Sequence, residues 1–177
     1  MPLASTYRRR LREEAAAQHG FITTATAARL GVPPGELRKL AHRGGLEHAG
    51  HGVWRFDDWP VDRLTGFMEA TLLVGPGAHL HATAVLALHE LGEVVPRRVR
   101  VATPRRCRRT LPAWIDVARR RLPPEALTTF EGIPATTVAQ ALADCTGGVP
   151  GWRLEAAADE ARRRGLITRQ AAARLPR

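Results

Sequence analysis

"GVPPGELRKLAHRGGL", residues 31–46, decides how this chain is read. Pro33 and Pro34 suit the first positions of a helix, where no backbone donor is needed and φ is already suitable. After them Leu37, Leu40 and Ala41 share one side, while Arg38, Lys39, His42 and Arg43 share another. Residues three and four apart lie on one helical face, so the cations project together. Gly44 and Gly45 end the run, because glycine closes a helix in a left-handed conformation at little cost. Such a helix either meets a polyanion or is a surface helix with solvated charges. Its neighbours in the sequence bear on the choice.

Upstream, Ser5 and Thr6 offer capping oxygens to YRRRLREEAAAQH, where Tyr7, Leu11, Ala15 and Gln18 keep helical spacing up to a stop at Gly20. FITTATAARLG then predicts a short second helix capped by Thr23 or Thr24, with Ala27 and Leu30 inward and Gly31 at its end. Downstream, LEHAGHGVWRF predicts two strands, Leu46–Ala49 and Gly52–Phe56, around a glycine turn. Three helices followed by a two-stranded ribbon is the winged helix-turn-helix plan, in which the second helix braces a third that enters the major groove. Leu37, Leu40 and Ala41 are expected to pack on Leu30, Ile22 and Leu11.

In that plan the residues expected at DNA are Thr24 and Pro34 at the helix starts, and Arg38, Lys39, His42 and Arg43 on the recognition helix. His48 and His51 at the wing tip and Arg55 on its return strand complete the set. Arginine and lysine can donate to guanine O6 and N7, and cations near the helix end can reach phosphates. Pro33 stands where a Ser or Thr cap is usual, so a capping oxygen is missing.

DDWP breaks the pattern after the ribbon and sets the expected division, residues 1–58 and 59–177. Beyond it Leu64–Val74 predicts a helix stopped by GPG, and HATAVLALHELG another. VPRRVRVATP and WIDVA predict strands, and ALTTFEGIPATT two more around Gly132. Helices at Thr137–Cys145 and Trp152–Arg164 complete the pattern. The fold class expected is α+β, a winged helix-turn-helix followed by a mixed α/β domain. One echo runs through the chain. GFITTATAARL at 20–30 and GLITRQAAARL at 165–175 share a glycine stop, an apolar staple and a threonine cap, without a basic helix after the second copy.

With 177 residues, 44% of them hydrophobic, the chain can bury a core, and its net charge of +10 favours polyanionic partners. Lys39 is the single lysine, so the remaining basic residues are arginines, a usage that GC-rich coding also produces. Arg97, Arg98, Arg100, Arg105, Arg106, Arg108 and Arg109, extended by Arg119–Arg121, form a second basic stretch offset only by Asp116. It could hold DNA backbone, bind RNA, dock an acidic partner, or stay solvated. Cys107 and Cys145 lie in no metal or disulfide spacing, no apolar run approaches the ~20 residues of a membrane span, and a reducing cytoplasm is expected.

At these residues the sequence resembles the N-terminal domain of the AbiEi family, the antitoxin and transcriptional-regulator partners of type IV toxin–antitoxin systems. The resemblance rests on GFITTATAARLGV, the PGELRKLAHRGGL helix and the hairpin ending GHGVWRF. It continues through HATAVLALHELG, VRVATP, GIPATTVAQALAD and EAAADEARRRGLIT. It implies an autorepressor that binds inverted repeats at its own operon, and because a single short winged helix reads few bases, binding as a dimer or cooperatively on repeated half-sites is expected. It further implies a second domain that supports assembly and neutralises a nucleotidyltransferase-like toxin. By position it places the DNA-contacting helix at Pro34–Arg43 and the wing at His48–Arg55. Many relatives continue past the point where this chain ends in RLPR, and the helix cap differs. The alternative reading is an interaction module that neutralises such a toxin without specific DNA binding.

Other chemistry finds little purchase. His79, His81 and His89 suggest zinc, but no Cys or carboxylate at useful spacing completes a site, so no metal and no cofactor are expected. Asp144, Asp159 and Glu160 could suggest a nuclease, yet they fall on predicted helices, where surface charge is the better account. No GxSxG, P-loop or GxGxxG occurs, and no catalytic residue or enzymatic activity is expected.

Overall fold

In the computed structural model the described residues are 3–168 and 170–171, with side chains from residue 7 onward. The chain forms two compact units, Met1–Leu73 and Val74–Arg177. The fold is α+β, a winged helix-turn-helix followed by a mixed α/β unit.

The first unit runs α1 (Leu3–Ala16), β1 (Phe21–Thr23), α2 (Thr24–Arg29), α3 (Pro34–His42), β2 (Leu46–Gly50), β3 (Val53–Phe56) and α4 (Thr65–Val74). α1 begins earlier than expected: Ser5 and Thr6 already lie inside it and do not start it, and their side chains lie outside the described residues. Gly20 takes φ +85°, and a Cβ there would stand 2.3 Å from Trp59 Cγ, so only glycine admits the indole. The chain then makes a strand the sequence did not announce. β1 pairs antiparallel with β3, giving the order β1-β3-β2, with Ile22 opposite Trp54. Three residues are too few to show an alternating pattern, and the threonines after them read as the start of a helix. Thr23 serves both elements, since its Oγ1 accepts from Thr26 N at 3.0 Å and caps α2.

One face of this sheet carries the expected core. Leu11, Ala15, Ile22, Ala27, Leu37, Leu40, Leu46 and Phe56 form a buried cluster, with Tyr7, Leu30, Ala41 and Trp54 packed against it. Each leucine buried there contributes about 1.5–3 kcal/mol. The opposite face is also covered. α4 lies against it, since a Cβ at Gly50 would come 2.4 Å from Leu73 Cδ2. The division between units therefore falls later than DDWP. That segment is held to α1, where Arg12 donates to both oxygens of Asp58 at 2.7 and 2.9 Å and stacks over Phe56 and Trp59. The Arg12 hydrogen bond holds the Asp58 carboxyl below its ordinary range.

The second unit comprises β4 (His79–Leu80), α5 (Thr83–Leu88), β5 (Val99–Thr103), β6 (Ile115–Arg119), β7 (Leu127–Phe130), β8 (Ile133–Thr136), α6 (Val138–Asp144) and α7 (Gly151–Arg163). Its five-stranded sheet has the order β6-β5-β4-β8-β7. The pairs β5–β6 and β4–β8 are parallel, and β4–β5 and β7–β8 antiparallel. Glu131 and Gly132, both at positive φ, make the tight turn between β7 and β8. Thr137 caps α6 by accepting from Gln140 N at 3.3 Å. The echo has a structural counterpart: Thr168 Oγ1 accepts from Ala171 N at 3.1 Å, the same device as Thr23. Residues 169 and 172–175 of that second copy lie outside the described residues.

The three histidines of this unit are buried. His79 Nδ1 lies 3.2 Å from Gly77 O, and His89 meets the Phe130 ring edge-on at 4.5 Å. Among the described residues no three His, Cys, Asp or Glu side chains are placed to hold a metal ion. Burial pushes His81 down to about 4. The unfolded chain takes up that proton near the ordinary histidine value of 6.5, whereas the folded chain resists it until about 4. Stability is thus intact above pH 6.5 and falls as pH drops toward 4, by up to roughly 3 kcal/mol. Urea unfolding across that window should show the slope, and His81→Leu should reduce it, leaving the smaller share of His79, whose imidazole burial also pushes down.

Candidate nucleic-acid interface

α3 is built as its sequence suggests. Leu37 and Leu40 are buried, and Arg38, Lys39, His42 and Arg43 are all exposed. Pro33 occupies the cap position and makes no side-chain cap bond; the backbone substitutes one bond, Glu36 N to Pro33 O at 2.9 Å. Among the described residues the side chains of Arg38, His42 and Arg43 make no hydrogen bond or ion pair. Lys39 does: its Nζ lies 2.7 Å from Glu36 Oε1. An exposed pair of this kind contributes about 0–1 kcal/mol, so the ammonium can be exchanged to another anion at small cost.

Thr24, Pro34, Arg38 and His48 come together with Leu37, Gly52 and Trp54 around a groove of about 390 Å³ between α3 and the wing. Thr24 ties helix to hairpin, its backbone N donating to Gly52 O at 2.8 Å and its hydroxyl to the same oxygen at 3.3 Å. His48 packs on the Trp54 indole, with ring centroids 4.7 Å apart. Trp54 is a groove residue that the sequence reading did not single out. Its Nε1 is buried and without a partner among the described residues, and only its place opposite His48 in the hairpin could have drawn attention to it. His51 is exposed between the strands of the wing, outside the residues lining the groove.

Arg55 does not belong to this surface. It is buried on the sheet face covered by α4, donates from Nη2 to Trp59 O, and stacks over Phe21 at 5.9 Å. Its charge also bears on Glu69, whose carboxyl burial pushes up and Arg55 draws back. The expected wing contact is therefore a structural residue, because α4 covers the face from which Arg55 would have to reach DNA. Arg55→Ala should destabilise the first unit by about 1–3 kcal/mol, leaving a carbonyl and a carboxylate short of a partner. The salt dependence of DNA binding should not move, which a titration at several ionic strengths would check.

The second basic stretch is divided by the structure. Arg105, Arg106, Arg109 and Arg119 line one groove in the second unit. Arg97, Arg98 and Arg108 are exposed elsewhere. Arg100 faces Asp116 at 3.9 Å. Arg120 clamps Asp144 with two bonds of 2.6 and 2.9 Å, and Gln140 donates to the same carboxylate at 2.9 Å. Asp144 is thus a buried partner in an ion pair, with its side chain 7% exposed, and not a helix-surface charge. Asp159 and Glu160 do lie on α7, paired with Arg162 and Arg164.

A basic helix seated on a leucine core, braced by a capped helix and followed by a hairpin, defines the first unit as a winged helix-turn-helix domain. Residues 9–56 match the family described as transcriptional regulator, AbiEi antitoxin. No curated protein matches the chain. Among solved structures, the crystal structure of the RV2827C protein from Mycobacterium tuberculosis is similar at a TM-score of 0.48 and 16% identity, over 96% of this chain and 71% of that one. Among the described residues no helix is long and apolar enough to cross a membrane.

Proposed function

We propose that the chain is a sequence-specific, non-enzymatic DNA-binding transcriptional regulator, an autorepressing antitoxin of a type IV toxin–antitoxin system acting in the cytoplasm. The observation that carries this reading is the outward cationic flank of α3, with Arg38, His42 and Arg43 uncommitted among the described residues. Arg38 and Lys39 would donate to guanine edges in the major groove, while His42 and Arg43 at the helix end reach phosphates. Thr24, Pro34 and His48 line the cleft beside that helix, where a backbone strand would pass, and His51 follows it at the wing tip. A single short helix reads few bases, so binding would be dimeric or cooperative on repeated half-sites. The family match over residues 9–56 supports the regulator role. The second unit would serve assembly and the neutralisation of a nucleotidyltransferase-like toxin.

Footprinting of the full chain on the DNA upstream of its own gene tests the reading. Two protected half-sites spaced by whole helical turns, about 10–10.5 base pairs or a multiple, are expected. Uniform protection that a random competitor duplex removes equally well would refute sequence reading.

A further inference from the structure

We propose that the second unit carries its own phosphate-binding groove, which grips nucleic-acid backbone without reading sequence. The groove, about 310 Å³, lies on one face of the β5–β6 pair and the loop between those strands. Thr103, Val117 and Arg119 contribute from the strands, and Arg105, Arg106 and Arg109 from the loop. Parallel register sets Thr103 beside Arg119 and Val101 beside Val117, which fixes the strand-borne arginine on that face. Arg109 is held at a place made for it: at Gly75, φ +108°, an added Cβ would stand 3.2 Å from its guanidinium.

Four guanidiniums and a hydroxyl line the groove, and no carboxylate does. The one acid between positions 97 and 121, Asp116, lies on the opposite face of β6 and is paired with Arg100. Arg105, Arg106 and Arg119 bring like charges to one groove, and an anion among them relieves their repulsion. Phosphodiesters in series match that density better than single carboxylates, and the guanidinium fork suits phosphate oxygens. No aromatic ring lines the groove, so bases have nothing to stack on. The contact would be to backbone alone. It needs neither an operator nor the winged helix, so it stands or falls separately from the reading proposed for α3.

Cys107 lines the same groove and reports on it directly. Cys145 is buried and its thiol pushed up to about 11, so it stays silent toward alkylation at neutral pH. The test takes the full chain with Arg38→Ala and Lys39→Ala, and follows iodoacetamide labelling of Cys107. A 30-base-pair duplex of random sequence should slow the labelling at least fivefold at low salt, and inorganic tripolyphosphate should do the same. Polyglutamate of equal charge should protect far less. Labelling unaffected by saturating duplex would overturn the proposal, and so would equal protection by polyglutamate. In the otherwise unaltered chain, replacing Arg105, Arg106 and Arg119 by alanine should lower the log–log salt slope of random-duplex binding by about 2–3, from roughly 0.9 per phosphate lost. An unchanged slope in a variant with an unchanged Tm would also overturn it.

Discussion

Replacing Arg38 and Lys39 together by alanine is expected to abolish operator-specific binding while the fold persists. Each base contact of this kind is worth about 1–3 kcal/mol of discrimination, so the pair together amounts to a loss of roughly a thousandfold in specific affinity. Binding to random duplex should weaken far less, because His42, Arg43 and His48 remain. Stability should change by less than about 1 kcal/mol, since the exposed Arg38 side chain makes no hydrogen bond or ion pair among the described residues and the Lys39–Glu36 pair is exposed on its lysine side. Gel shifts of the operator and of a shuffled sequence, beside a thermal melt, give the three readings. A double variant that footprints the operator normally would show that α3 does not read it.

Leu37→Ala should act through the opposite face of the same turn. Leu37 is 1% exposed and sits in the cluster with Leu11, Ile22 and Phe56. Removing its branch costs transfer free energy and leaves a cavity, together about 2–5 kcal/mol, a large part of what a small unit possesses. Operator binding should then fall together with helicity, and lowering the temperature should recover both in parallel. Leu37→Met, which conserves volume, should cost less than about 1.5 kcal/mol and bind nearly normally. If Leu37→Ala melted as the unaltered chain does, the anchoring of α3 by its leucines would be refuted. The two experiments separate what holds the helix from what it presents.

Most of this was legible because helical periodicity and glycine stops are strong local signals. α3, the wing hairpin, α6 and α7 fall within a residue or two of their expected bounds for that reason. The losses have physical causes. β1 and β4 are three and two residues long, and strands so short gain their identity from partners far along the chain. Arg55 was misplaced because alternation in a hairpin tells which residues share a face, and nothing about whether a later helix will cover that face. α4 does cover it, and the same fact moves the division between units beyond DDWP. Trp54 escaped notice because an indole in a strand reads as ordinary core, and its groove exists only once α3 is folded beside it. The arginines from 97 to 121 looked like one patch in sequence. Strand register and the Asp116 and Asp144 pairings sort them into partnered, scattered and converging groups, a distinction linear order cannot express.

β1 has a mechanical side. By hydrogen-bonding into the hairpin while running straight into α2, it bolts the helical part and the wing together, and Thr24 adds a second fastening at Gly52. The gap between them is then a gauge of set width. If DNA is bound as proposed, a duplex whose groove is too wide or too narrow at that spot should be turned away by fit, even with every favoured base in place.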